Sequence, residues 1–190
     1  MPGIRAVLTT LRKGAGHSLR FLQSRAMVRA AGRRLVHGIK VTEASPSDLA
    51  SVQSKLDPST SYSPAPLDPA VTNLVAVRYG KIVGFVQLVR HPPSHAPYIG
   101  YWLFSLYILN PLYRGTGIGE ILTRSLLAIG RREGAPEVYL VVNETNRPAI
   151  SLYHKLGFRH ITLPGLEEQL EEEARNHGKR RITMVKRFHE

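Results

Sequence analysis

The chain contains no cysteine. Disulfides, thiolate zinc sites and a cysteine nucleophile are therefore excluded; a reducing compartment fits, and a cytoplasmic location is expected. Long apolar runs are also missing, none approaching the roughly 18 residues of a membrane span. Carboxylates are absent from the first 42 positions, Glu43 being the first. That stretch carries nine Lys or Arg, whereas the remainder of the 190 residues carries 17 basic and 14 acidic, a net of +3. Most of the formal charge of +12 thus belongs to the N-terminal stretch. Nucleic-acid binding by the whole chain does not follow from its overall pI.

Residues 1–38 read as a basic, partly amphipathic extension. Leu19, Phe21, Leu22, Met27, Val28, Leu35 and Val36 alternate with Arg20, Arg25, Arg29, Arg33 and Arg34, with Gly14, Gly16 and Gly32 interrupting the pattern. Three uses compete: docking on its own domain or on a partner chain, as in a homodimer; contact with RNA or anionic lipid; or a transit-like or poorly ordered leader. A second unit is expected over residues 39–190.

Within that unit, Ile39 and Val41 begin a strand, and Ser45-Pro46-Ser47-Asp48 signals a helix start ahead of Leu49, Val52 and Leu56. Four prolines and four Ser or Thr between Asp57 and Ala70 indicate a loop. Asn73–Val77, the turn Tyr79-Gly80-Lys81 and Ile82–Val89 read as a hairpin. The run from His91 to Pro97 breaks the second strand, and Tyr98–Leu109 follows as a long, central strand. A helix is expected from Gly117 to Arg132, then a strand over Glu137–Val142. A right-handed crossover makes this strand parallel to the central one. Asn146 caps the next helix, with Pro148 in its first turn, and Gly157 ends it. A strand over Phe158–Leu163, an acidic helix from Leu166 to about Arg175 and a strand over Arg181–Phe188 complete the order. The fold class is α/β (α+β): a mixed, mostly antiparallel sheet flanked by helices.

The stretch Leu109–Glu120, L-N-P-L-Y-R-G-T-G-I-G-E, joins strand to helix through a glycine-rich turn. Backbone N–H groups and the positive helix end there suit an anion, most simply a phosphate. A Rossmann dinucleotide site would need an early strand and different glycine spacing.

Two motifs carry a family resemblance. The first is Tyr107, Leu109, Pro111, Arg114, Gly115, Gly117 and Gly119; the second is Leu140, Val142, Asn146, Ala149, Leu152, Tyr153, Lys155, Gly157 and Phe158. Together, in this order, they resemble the GNAT superfamily of acyl-coenzyme A-dependent N-acetyltransferases. The resemblance implies the GNAT fold and acetyl-CoA as acyl-donor co-substrate, with no metal. It implies that the amides of Arg114, Gly115, Thr116, Gly117, Ile118, Gly119 and Glu120 cradle the pyrophosphate. The backbone of Tyr107, Ile108 and Leu109 would bind the amide-bearing arm beside a bulge, with Leu140–Val142 as the opposite wall. Asn146 would hydrogen-bond the coenzyme, besides capping its helix. Tyr153 would be the general acid that reprotonates the leaving thiolate.

The implied reaction is direct attack by a primary amine, of a small molecule or a protein, on the thioester. The absence of cysteine agrees with a route that has no covalent enzyme intermediate. The general base is left open. The central and parallel strands lack a carboxylate except Glu137, at the far end; Glu144, His91, His95 and water are the candidates. The competing function is a non-catalytic acyl-CoA-binding module acting through its basic arm.

Overall fold

The computed structural model of the protein describes residues 38–56 and 68–188. The basic extension, up to residue 37, and residues 57–67 of the Pro-rich loop lie outside the described residues. The described chain runs β1 (Lys40–Glu43), α1 (Pro46–Gln53), β2 (Val71–Arg78), β3 (Lys81–His91), β4 (Gly100–Ile108), α2 (Ile118–Arg132), β5 (Glu137–Asn143), α3 (Arg147–Lys155), β6 (Arg159–Ile161), α4 (Leu166–His177) and β7 (Arg181–Arg187). This is the order expected from the sequence.

The seven strands form one sheet, ordered β1-β2-β3-β4-β5-β7-β6. Only β4 and β5 run parallel; every other neighbouring pair is antiparallel. The β2–β3 hairpin turns at Tyr79 and Gly80, with φ of 49° and 72°. Two successive left-handed residues match the right-handed twist of the strands they join. Gly84 has a packing reason: a Cβ there would lie 2.9 Å from Leu122 Cδ1, so glycine lets α2 settle on β3.

Helices cover both faces. On one face α2 presents Ile118, Leu122, Leu126 and Leu127, and α3 presents Tyr153 and Leu156, to Leu88, Leu103, Leu140 and Met184. The four-residue spacing of Ile118, Leu122 and Leu126 is that of a helix with one buried stripe. On the other face α1 packs Leu49 and Val52 on Val75 and Phe85. Beside it α4 packs Leu166 and Leu170 on Trp102, with Tyr98, Phe104 and Tyr139 around them. α1 begins with the expected cap: Ser45 Oγ accepts from Asp48 N, while Asp48 Oδ2 accepts from Ser45 N.

Several boundaries differ from the sequence reading; β4, for one, runs Gly100–Ile108 rather than Tyr98–Leu109. β3 continues through His91, which pairs with Gly100, so the break falls at Pro92; proline has no N–H to extend the ladder. β6 is confined to Arg159–Ile161 rather than reaching Leu163. The Leu163 carbonyl instead accepts from Leu166 N and Glu167 N, at 3.2 and 3.1 Å, and so serves the start of α4. That helix runs on to His177, where Gly178 in a left-handed conformation ends it.

Candidate active site

The site begins where β4 and β5 part. They pair only at Tyr101–Val138 and Trp102–Tyr139. Beyond that point β4 stays with β3 as far as Ile108, and β5 stays with β7 as far as Asn143. Each strand keeps its outer neighbour, and a wedge opens between them. The divergence coincides with a bulge in β4. Gln87 lies opposite Phe104 but Phe85 lies opposite Tyr107, so β4 carries one extra residue between these rungs. Ser105 takes the strained conformation this requires, with φ of 57°.

An open parallel edge exposes backbone donors and acceptors that an extended amide-bearing chain can meet as a strand would. Leu109 N donates to Val83 O at 3.0 Å, so this amide faces β3. Strand alternation then turns the backbone groups of Ile108 and Leu106 toward the wedge. Of the three residues expected to bind the arm, Ile108 is thus the one aimed at it. The Leu109 amide is committed elsewhere.

The glycine turn lies at the wide end of the wedge. Its amides divide into two sets. Arg114 N donates to Pro111 O at 3.1 Å and Thr116 N to Tyr113 O at 3.3 Å, with Thr116 Oγ1 donating to the same carbonyl at 2.6 Å. These two amides hold the turn together. The N–H groups of Gly115, Gly117, Ile118, Gly119 and Glu120 have no partner among the described residues. The last three are the first turn of α2, whose donors have no carbonyl a turn earlier to meet. Gly117, at φ 101°, turns the chain into that helix. These five groups fit a pyrophosphate, and the helix dipole favours its charge. Gly119 has another reason to be glycine. A Cβ there would sit 3.3 Å from Leu152 Cδ2, so its absence lets α2 approach α3.

Glu120 does more than offer its amide. Its carboxylate bonds Lys155 Nζ on α3 and, at 3.0 Å, Arg124 Nη2 one turn along α2. The Lys155 bond, followed by that to Arg124, holds its pKa below the ordinary carboxylate value. The pair neutralises an acid that would otherwise oppose an anion at the head of α2.

Tyr153 comes from the last turn of α3 and is 6% exposed. Its ring meets Phe158 edge-on, with centroids 5.5 Å apart. Its hydroxyl has no hydrogen-bond partner among the described residues. Burial raises its pKa to about 12, so the hydroxyl remains protonated across the physiological range. Asn146 caps α3, its Oδ1 accepting from Ala149 N at 3.3 Å.

The family model for the Acetyltransferase (GNAT) family matches residues 42–158, which contain the wedge, the turn and Tyr153. The chain belongs to the GNAT family. It is similar to a mycothiol acetyltransferase of Thermomonospora curvata, 40% identical over 93 residues that make up 48% of this chain and 28% of the relative. It is also similar to an uncharacterized N-acetyltransferase of Mycobacterium tuberculosis, 37% identical over 92 residues, 48% of this chain and 55% of the relative. The matched stretch thus spans between about a quarter and about half of these relatives' length. Among solved structures, an acetyltransferase of Bacillus anthracis in complex with acetyl coenzyme A superposes with a TM-score of 0.59 at 15% identity, covering 79% of this chain and 97% of that one. That likeness shows the GNAT fold.

The candidate bases of this GNAT chain are scattered. Glu144 follows β5, and its amide donates to Arg180 O, on the β7 side. Glu137 is engaged with Tyr139 and with Arg187. His91 ends β3, stacked on His95 at 5.3 Å and edge-on to Phe104 at 5.9 Å. Burial, then the charge of His95, lowers its pKa, so its imidazole is neutral at pH 7.

The bulge expected from the family resemblance falls at Ser105, a residue the sequence did not single out. Sequence reasoning overlooked a buried amide pair on the neighbouring strands, Asn73 and Gln87, with Gln87 Nε2 donating to Asn73 Oδ1 at 2.8 Å. A signal for the pair was present: they are the polar interruptions of two apolar strands, almost equidistant from the Tyr79-Gly80 turn. Residues so placed in a hairpin are cross-strand partners, as the register shows.

Proposed function

We propose that the protein transfers an acetyl group from acetyl-CoA to a primary amine by direct attack. The observation that carries this reading is the wedge between β4 and β5, with the unpartnered amides of the glycine turn at one end and the Tyr153 hydroxyl within the same core. Acetyl-CoA supplies the activated thioester carbonyl. Gly115, Gly117, Ile118, Gly119 and Glu120 would hold the pyrophosphate through their N–H groups, and Ile108 would pair with the arm. A backbone N–H at the bulge would polarise the carbonyl. The amine nitrogen forms the new C–N bond as the C–S bond breaks. Tyr153 would deliver its proton to the departing sulfur.

Among the candidate bases, His91 suits the role best. It is uncharged at neutral pH and lies on the sheet face that carries Phe104, the residue before the bulge. A water between them would carry the amine's proton to it. The names of the relatives and structural neighbours support acetyl transfer, and no observation favours the non-catalytic alternative. The test is release of free thiol from acetyl-CoA with a panel of primary amines. Thiol release that depends on the amine supports the reading. Coenzyme binding with no thiol release for any amine would overturn it.

A further inference from the structure

The face of the sheet opposite α2 and α3 is covered by α1 at one side and α4 at the other. Between these two apolar clusters the side chains of Asn73 and Gln87 form a polar interruption, 9% and 5% exposed. Their place in the register is specific. Asn73 is the cross-strand partner of Gln87, and Gln87 is the partner of Phe104. The three make one lateral row across β2, β3 and β4, at the level where the Ser105 bulge begins. Adjacent strands lie about 4.8 Å apart. Gln87 is therefore one strand away from the apex of the wedge.

The hydrogen bond between the two amides uses half of each. Gln87 Nε2 donates to Asn73 Oδ1, which leaves Gln87 Oε1 as an acceptor and Asn73 Nδ2 as a donor. Neither has a partner among the described residues. Neither is among the buried atoms left unmet, so both stay within reach of solvent and of a ligand. A cross-strand pair of valines would pack this row as well as its apolar neighbours do. An open acceptor on one amide and an open donor on its hydrogen-bonded partner are what a ligand with the complementary pair would fill.

We propose that Gln87 Oε1 receives an N–H of the acceptor amine and that Asn73 fixes the Gln87 amide in that orientation. Asn73 Nδ2 then serves a carbonyl or hydroxyl oxygen on the carbon next to the amine-bearing one. The inference rests on the acetyl-transfer reading and adds to it an acceptor class: primary amines bearing an oxygen on the adjacent carbon, as in an α-amino amide or a 1,2-amino alcohol. Gln87 orients the nitrogen toward the wedge. As a neutral amide it takes no proton, so base catalysis stays with another group.

The test compares glycinamide with n-propylamine as acceptors, in the full-length protein and in Gln87→Leu, Gln87→Glu and Asn73→Leu, with acetyl-CoA affinity measured calorimetrically for each. The wild type should favour glycinamide in KM by roughly tenfold, the worth of one good hydrogen bond. Gln87→Leu should raise both amine KM values about tenfold while leaving acetyl-CoA affinity unchanged. Asn73→Leu should abolish the preference for glycinamide. A Gln87→Leu protein that binds acetyl-CoA normally and keeps both KM values would overturn the proposal. If Gln87→Leu fails to bind acetyl-CoA, the isosteric Gln87→Glu decides. Its carboxylate should lower the amine KM at neutral pH, and an unchanged KM overturns the proposal. A wild type active on amines but indifferent to Gln87 sinks this inference alone. A wild type that binds acetyl-CoA and acetylates no amine sinks the acetyl-transfer reading first.

Discussion

Trp102 of β4 and Tyr139 of β5 stack with their ring centroids 5.0 Å apart, at the last rung where the two strands still pair. The indole is fully buried and donates to Ile99 O at 3.1 Å. This stack pins the apex from which the wedge opens. Trp102→Ala removes the largest side chain of the α4 face and should destabilise the fold by about 3–5 kcal/mol, read from denaturant unfolding. Addition of acetyl-CoA should recover only part of that loss. A change below about 1 kcal/mol would show that the stack contributes little to holding the apex.

Tyr153→Phe should keep acetyl-CoA affinity and lower kcat by about 10²–10⁴-fold, the usual range for a positioned proton donor. Stopped assays of thiol release, with coenzyme affinity measured separately, check both parts. The raised pKa also has a stability consequence. Unfolding returns the phenol to its ordinary value near 10. Between there and about 12 the unfolded state loses its proton first, so stability falls as pH rises through that window and is independent of this group below it. Tyr153→Phe should make the alkaline loss shallower, Tyr139 with its own value of about 12 retaining a share.

Lys155→Met leaves Glu120 with only Arg124 as a counter-charge beside the coenzyme's phosphates. The KM for acetyl-CoA should rise about three- to tenfold, with kcat little changed, and the double variant with Glu120→Gln should recover much of the loss. The paired side chains are partly exposed, so the effect should shrink in high salt. The depressed pKa of Glu120 contributes stability that is present above the ordinary carboxylate range and lost only as pH falls below it.

As the proposed base, His91 should provide the acidic limb of the pH–rate profile. With a pKa below the ordinary imidazole value near 6.5, kcat/KM should fall on that side of the profile. His91→Gln should lower the plateau and remove this limb. His95 is its nearest titrating neighbour, and Tyr98 faces it from the loop before β4. His95→Gln should therefore move the limb upward without abolishing it. An unchanged profile in His91→Gln would return the role to Glu144 or to solvent.

Local chemistry was legible in the sequence, and pairings across space were not. The Ser45–Asp48 capping box, the Tyr79-Gly80 turn, the Asn146 cap and the Gly157 stop are each written within four residues, and the structure contains all of them. The glycine turn was equally plain, but its division into structural and open amides depends on which carbonyls lie nearby. Ser105 gives no warning of a left-handed backbone, because the bulge is imposed by the divergence of two strands rather than by the residue. Gly119 read as a glycine for the phosphate cradle, and only Leu152, from a helix further along the chain, reveals its second, packing reason. Glu120 and Lys155 lie 35 positions apart, and only the packing of α2 against α3 brings them together.

On the proposed reading the wedge holds the coenzyme by its arm and phosphates, and those are the same before and after the acyl group has left. Neither the open edge of β4 nor the five amides at the turn can tell the spent thiol from the loaded thioester. The product should therefore linger. Free coenzyme A is expected to inhibit competitively against acetyl-CoA, with an inhibition constant within about tenfold of the KM, because uniform binding is shared by donor and product. At saturating amine, departure of the thiol rather than bond-making would then set the pace of turnover, and a pre-steady-state burst of acetylated amine would reveal it.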